Sequence, residues 1–99
     1  MRVISRRRLR EFWERHKDAE TSLRAWYAVT RRATWRSIVE TKEVFPHADA
    51  VGDCTVFNIK GNDYRLITKI HYRGQRVFIR YVLTHAEYDR DEWKKDCGV

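Results

Sequence analysis

Six side chains in the second half of this 99-residue chain could together perform chemistry on a phosphodiester: Asn58, Lys60, Asn62, Arg65, His85 and Tyr88. Cutting RNA without a metal needs a base for the 2′-OH proton, an acid for the leaving 5′ oxygen, and cations for the charge that builds on the phosphate. Histidine alone has a reference pKa near neutrality, so His85 could move a proton, and a phenol such as Tyr88 could join that transfer or hold the phosphate. Arg65 offers planar donors suited to phosphate and Lys60 a point charge, while Asn58, Asn62 and Arg80 could add contacts to RNA. Each also has a plainer reading. Arg65 and Arg80 could be ion-paired strand residues, His85 a local hydrogen-bonder, Tyr88 a core residue with its hydroxyl at the rim, and Asn62 a turn residue chosen for positive φ. His16, His47 and His71 stand at no metal-ligand spacing. Asp89, Asp91, Glu92 and Asp96 follow no metal-loop pattern and read as the solvated side of a last helix, so neither metal nor cofactor is expected.

These residues span thirty positions, so secondary structure has to gather them. Three β-rich runs, over residues 54–60, 64–72 and 76–84, are separated by Gly61-Asn62-Asp63 and Arg73-Gly74-Gln75. Three-residue connections containing Gly read as hairpin loops, which makes the runs an antiparallel meander. Setting Lys60 opposite Tyr64 and Tyr72 opposite Arg76 pairs Ile59 with Arg65 and Arg65 with Leu83. Residues 58–62, Arg65 and residues 84–88 then meet at one end of the sheet. Thr84-x-x-Glu87 reads as a capping box opening a last helix through Trp93, and His85 and Tyr88, three apart, share a face of it.

Upstream, Val3 and Ile4 suggest a short strand. Ser5 could cap a helix over residues 6–16 with Leu9, Phe12 and Trp13 as its apolar stripe and Glu11 placed to pair with Arg15. A second helix over residues 19–33 turns Leu23, Trp26, Tyr27 and Thr30 inward, with Asp18 as its cap. A short helix over residues 35–40 precedes Phe45-Pro46. The four tryptophans at 13, 26, 35 and 93 read as core anchors rather than a base-stacking platform. This pattern describes one α+β domain spanning residues 1–99.

The net charge of +7 makes polyanions the default partners. It is concentrated: residues 1–36 hold eleven basic against four acidic side chains, whereas residues 84–99 hold three against five. Arg6, Arg7, Arg10, Arg31 and Arg32 are therefore the candidate RNA-gripping side chains of the N-terminal third. Cys54 and Cys97 form no CxxC or CxxxH pattern, which predicts free thiols in a reducing compartment without a disulfide. No apolar run approaches membrane-spanning length and the first residues lack a secretory signal's apolar core, so a cytoplasmic protein with no membrane partner is expected.

The stretch Val56-Phe57-Asn58-Ile59-Lys60-Gly61-Asn62-Asp63-Tyr64-Arg65-Leu66-Ile67, followed by Leu83-Thr84-His85-Ala86-Glu87-Tyr88-Asp89 and Trp93-Lys94, closely resembles HigB-type toxins of bacterial toxin-antitoxin systems, within the RelE-like superfamily. Phe45-Pro46-x-Ala48-Asp49 adds to that resemblance. It implies a RelE-like α+β domain and a bacterial, ribosome-dependent mRNA endoribonuclease held inactive by a HigA-like helix-turn-helix antitoxin. The implied chemistry is attack of the 2′-OH on the adjacent phosphate to give a 2′,3′-cyclic product. By motif position, Arg65 would stabilise the transition state, His85 would transfer a proton, and Tyr88 would orient or donate at the phosphate. Lys60 and Asn62 match the motif. Where other branches carry a basic residue on the first hairpin strand, this chain has Asn58. Two other readings share the charge: an endoribonuclease that needs no ribosome, and a non-catalytic basic regulator that lays the Arg-rich first helix in a nucleic-acid groove.

Overall fold

The computed structural model describes residues 1–99. Strand β1 (Arg2–Ile4) is followed by helices α1 (Arg6–Arg15) and α2 (Glu20–Arg32), joined by a 3₁₀ turn over Lys17–Ala19. Then come α3 (Ile38–Val44), the strands β2 (Asp49–Val51), β3 (Cys54–Ile59), β4 (Tyr64–His71) and β5 (Arg76–Thr84), helix α4 (His85–Asp89) and a 3₁₀ segment over Glu92–Cys97. The strands form one sheet in the order β1-β5-β4-β3-β2. The meander is antiparallel, but β1 joins β5 in parallel, so the sheet is mixed.

Alternation along the strands gives the sheet two apolar faces. Phe57, Ile59, Leu66, Val77 and Ile79 meet Leu9 and Phe12 of α1, Leu23 and Trp26 of α2, and Trp35 in the main core. On the opposite face Val56 and Ile67 pack with Trp93, Cys54 and Cys97 beneath the C-terminal 3₁₀ segment. Trp26, Trp35 and Trp93 are buried anchors, and Trp13 is half-buried.

Several local expectations change. Ser5 has φ of 71° and makes no side-chain cap, and the carboxylates of α1 pair backwards, Arg7 with Glu11 and Arg10 with Glu14, leaving Arg15 without Glu11. Asp18 does not cap α2; it turns to the sheet and accepts from Lys60 and Tyr64. The third helix starts at Ile38 because the Ser37 hydroxyl accepts from the Glu40 amide. The last helix is cut short at Asp89, since Asp91 has φ of 61°.

The cysteines are joined: Cys54 and Cys97 form a disulfide across a Cα–Cα distance of 5.2 Å. This overturns the expectation of free thiols. The two are 43 residues apart, and only packing of the C-terminal segment on the start of β3 brings them together, a contact that sequence spacing does not reveal.

Register places the site. The β3–β4 loop is one residue longer than expected, with Ile59 opposite Tyr64 and Asn58 opposite Arg65. Its positive φ values fall on Lys60 and Gly61, not on Asn62. At the far hairpin His71 faces Arg76, and a bulge opposite Ile67 and Thr68 inserts Arg80 as the extra residue of β5. Beyond the bulge Arg65 stands opposite Leu83, and Tyr64 opposite Thr84.

Candidate RNA-cleavage site

The first residues of β4, the β3–β4 loop and the start of α4 converge where β5 ends. Arg65 alternates onto the sheet face covered by the C-terminal segment and is only 9% exposed. Its guanidinium forms no ion pair. Nη1 donates to the main-chain carbonyls of Asn62 (2.9 Å) and Tyr64 (3.2 Å), and Nη2 donates to the Asn62 side-chain oxygen (3.4 Å). The carbon of the guanidinium lies 4.9 Å from the centre of the Tyr88 ring. Tyr88 is stacked in turn on Trp93, with centroids 5.0 Å apart and planes 15° from parallel, and the indole N–H donates to the Tyr88 carbonyl at 3.0 Å. Arg65, Tyr88 and Trp93 thus form a three-layer stack rooted in the small core beside the disulfide.

His85 is placed by the capping box. The Glu87 amide donates to the Thr84 hydroxyl (3.2 Å) and the Thr84 amide to the Glu87 carboxylate (2.9 Å), so the helix opens at His85. That backbone donor at Thr84 holds the Glu87 carboxyl below the ordinary range of its kind. The His85 ring then spans two acceptors: Nδ1 is 3.2 Å from the Asn62 carbonyl and Nε2 is 3.4 Å from the Asp89 carboxylate. Because a carbonyl can only accept, Nδ1 carries the hydrogen there and Nε2 is the nitrogen left to exchange a proton.

Asn62 is the hub. Its carbonyl serves both Arg65 and His85, and its side-chain oxygen also accepts from Asn58 Nδ2 at 3.3 Å. It is in the loop for its hydrogen bonds and not for a left-handed backbone.

Lys60 is turned away from this group. Its ammonium sits 2.8 Å from Asp18 and 3.7 Å from Asp63, and Asp18 also accepts from the Tyr64 hydroxyl at 2.6 Å. The Asp18 hydrogen bond pushes the Lys60 ammonium above its usual range and the Tyr64 phenol likewise, while Lys60 first and Tyr64 second hold the Asp18 carboxyl below its own. Arg80 is also separate: its guanidinium reaches toward Asp96 at 3.9 Å.

The arginines of the N-terminal third are all exposed. Arg6 covers one face of Tyr27 at 4.6 Å and Arg31 approaches the same ring at 5.8 Å. Arg6, Arg7 and Arg10 line a groove of about 330 Å³ with Trp13 and Arg24. Arg24, which composition alone did not single out, lies 4.6 Å over the Trp13 ring. Asp89, expected only to solvate the last helix, pairs with His85, although a carboxylate four residues after a histidine on one helix face is a readable signal; Trp93 is the core anchor expected, but its place under Tyr88 depends on the bend after Asp89. No three His, Cys, Asp or Glu side chains gather in a metal-holding group.

A family model described as the RelE-like toxic component of a toxin-antitoxin system, HigB toxin, matches residues 19–91. The chain belongs to the HigB toxin family. The matched segment holds Arg31, Arg32 and the whole Arg65–His85–Tyr88 group, and it excludes α1. The chain is also similar to the mRNA interferase toxin HigB of Escherichia coli strain K12, 29% identical over 92 residues that cover 90% of this chain and 88% of the relative. The mRNA interferase HigB of Escherichia coli O6:H1 is 26% identical over 93 residues, covering 91% and 90%.

Proposed function

We propose that this toxin is an endoribonuclease that cuts mRNA held on the ribosome, with Arg65, His85 and Tyr88 at the scissile phosphate. One observation carries the reading: Arg65 is a buried guanidinium whose partners are carbonyl oxygens and an aromatic face, with no carboxylate to neutralise it. A buried charge without a counter-ion is costly and is retained where an anion is to be received. The groups around it fit transesterification. The 2′-OH attacks phosphorus, the bond to the 5′ oxygen breaks, and a 2′,3′-cyclic phosphate and a 5′-OH result. One proton leaves the 2′-OH and one is returned to the 5′ oxygen; His85 exchanges protons at Nε2, and Tyr88 donates its hydroxyl hydrogen to the phosphate. Arg65 stabilises the charge gathering on the non-bridging oxygens. Lys60, held protonated by Asp18, adds field rather than accepting a proton. Asn58 and Asn62 fix the geometry and reach the RNA.

The ribosome enters through charge. The exposed arginines 6, 7, 10, 31 and 32 provide a surface for ribosomal RNA while the end of the sheet faces the message, and the mRNA interferase names of the relatives support mRNA as the strand that is cut. A HigA-like antitoxin restrains the activity in the bacterial cytoplasm. Primer extension on a defined mRNA, with and without programmed ribosomes, tests this. Cuts that need ribosomes and vanish in His85→Ala support it; cuts in free RNA replace it with a ribosome-independent nuclease, and no cuts in either condition leave a binding protein.

A further inference from the structure

A second basic surface lies along the last strand, apart from the α1–α2 groove. Strand β1 pairs only with Arg76, Val77 and Phe78, so from Ile79 onward β5 has no strand on that side and α1 lies along it instead. Between them runs a groove of about 300 Å³ lined by Arg8, Arg15 and Arg80 together with Phe12, Tyr81 and Val82. The Arg8 guanidinium donates to the carbonyl of Arg80, the extra residue of the bulge, at 2.7 Å. Glu11 also borders the groove, but it is drawn to Arg7 at 3.4 Å, and Glu14 is drawn to Arg10. Arg8 and Arg15 form no ion pair, and Arg80 has a buried Nε with no acceptor. Its nearest carboxylate, Asp96 at 3.9 Å, is already bound by the Tyr81 hydroxyl.

The groove continues toward the site. Tyr81 is shared with a second depression of about 230 Å³, lined by Leu83, Trp93 and the mixed charges of Glu87, Arg90, Glu92 and Lys95, which reaches the base of the Arg65–Tyr88–Trp93 stack. From Arg80 to His85 is five residues of near-extended strand, about 16 Å, the span of a few nucleotides of single-stranded RNA.

We propose that the α1–β5 groove is the track for the RNA strand leading to the scissile phosphate, with Arg8, Arg15 and Arg80 binding successive phosphodiesters. Backbone phosphates suit it because Arg15 has no polar partner, Arg8 is held only by the Arg80 carbonyl and Arg80 only by the 3.9 Å approach to Asp96, so their remaining donors are open to an extended polyanion. The inference rests on the reading of this chain as an enzyme acting on RNA. It adds Arg8 and Arg15 to the substrate contacts and assigns Arg80 to substrate rather than to the reacting centre.

The test is binding of the full chain to a fluorescent 2′-O-methyl RNA oligonucleotide, which cannot be cut, measured over a series of salt concentrations. Arg15→Gln removes no hydrogen bond of the fold and is the first variant; Arg8→Gln with Arg15→Gln and Arg80→Gln is the second. Arg73→Gln, in the loop at the opposite end of the sheet, makes the same charge change as a control. Each groove arginine removed should reduce the slope of log affinity against log salt by about 0.7, and the triple variant by about 2, with Arg73→Gln at the wild-type value. Wild-type affinity and slope in the first two variants, no oligonucleotide binding by the wild type, or equal loss in the control would each overturn the groove. Groove-dependent binding by a protein that cuts no RNA would retain the track and reject the nuclease reading; normal cleavage and KM in the triple variant would do the reverse.

Discussion

At the scale of single residues, the proposed role of Arg65 sets stability against chemistry. A guanidinium that is 9% exposed and lacks a counter-ion costs folding energy, so replacing it by an apolar side chain of similar length should not destabilise the protein. Arg65→Met should therefore melt at or above the wild-type temperature while cleaving ribosome-held mRNA at least about a hundredfold more slowly, and His85→Ala should lose a similar factor. Thermal melts and single-turnover cleavage of the same preparations check this; full activity in either variant removes that residue from the reacting centre. The converging group was legible in the sequence because Gly-containing loops and a Thr84-x-x-Glu87 box fix where strands end. The facing of Arg65 and Leu83 came out right through two cancelling displacements within the β4–β5 hairpin: its loop is one residue longer, with His71 and not Tyr72 opposite Arg76, and the bulge inserts Arg80. Neither has a sequence signal.

At the scale of elements, two contacts between distant segments hold the site in place. Asp18, at the α1–α2 junction, binds Lys60 and Tyr64 of the hairpin 42 and 46 positions away. No local pattern announces such a pair, and the sequence reading gave Asp18 to the helix instead. Its carboxyl is held below the reference value of 3.8, so its contribution to stability is present above that value and is lost as pH falls through the depressed one. Lys60 is raised above 10.5, so its share is present below 10.5 and lost as pH rises further. The difference in melting temperature between wild type and Asp18→Asn should accordingly be widest around neutrality and close at both extremes. A gap that persists in strong acid would remove the ion pair as its cause. The second contact is the disulfide, which closes a loop of 43 residues and restrains the segment bearing Trp93. By chain entropy, Cys97→Ser should lower the unfolding free energy by up to about 4 kcal/mol. Urea unfolding of oxidised and reduced protein, followed by tryptophan fluorescence, measures it.

At the scale of the whole molecule, the net charge and the proposed site occupy different regions. The +7 net charge is carried by the first third of the chain, and the proposed reacting group sits where the last hairpin meets α4. The uneven charge was readable from composition; its division into two grooves was not, because Arg7 and Arg10 take the carboxylates of α1 to one side and leave Arg8 and Arg15 bare on the other. Exchanging Arg6, Arg7, Arg10, Arg31 and Arg32 for Glu should abolish co-sedimentation with ribosomes, since reversing five contacts acts on the dominant, salt-dependent part of RNA affinity. Unchanged sedimentation would move the ribosome contact elsewhere.

The central claim is that the end of the sheet activates a 2′-OH against its neighbouring phosphate. Its most direct test is a ribosome-programmed mRNA carrying a single 2′-deoxynucleotide immediately before the mapped cut. Loss of cleavage at that position alone, with a 2′,3′-cyclic phosphate end on the unmodified message, is the predicted result. Undiminished cutting of the deoxy-substituted message would show that water rather than the 2′-OH attacks, and would contradict the assignment of Arg65, His85 and Tyr88.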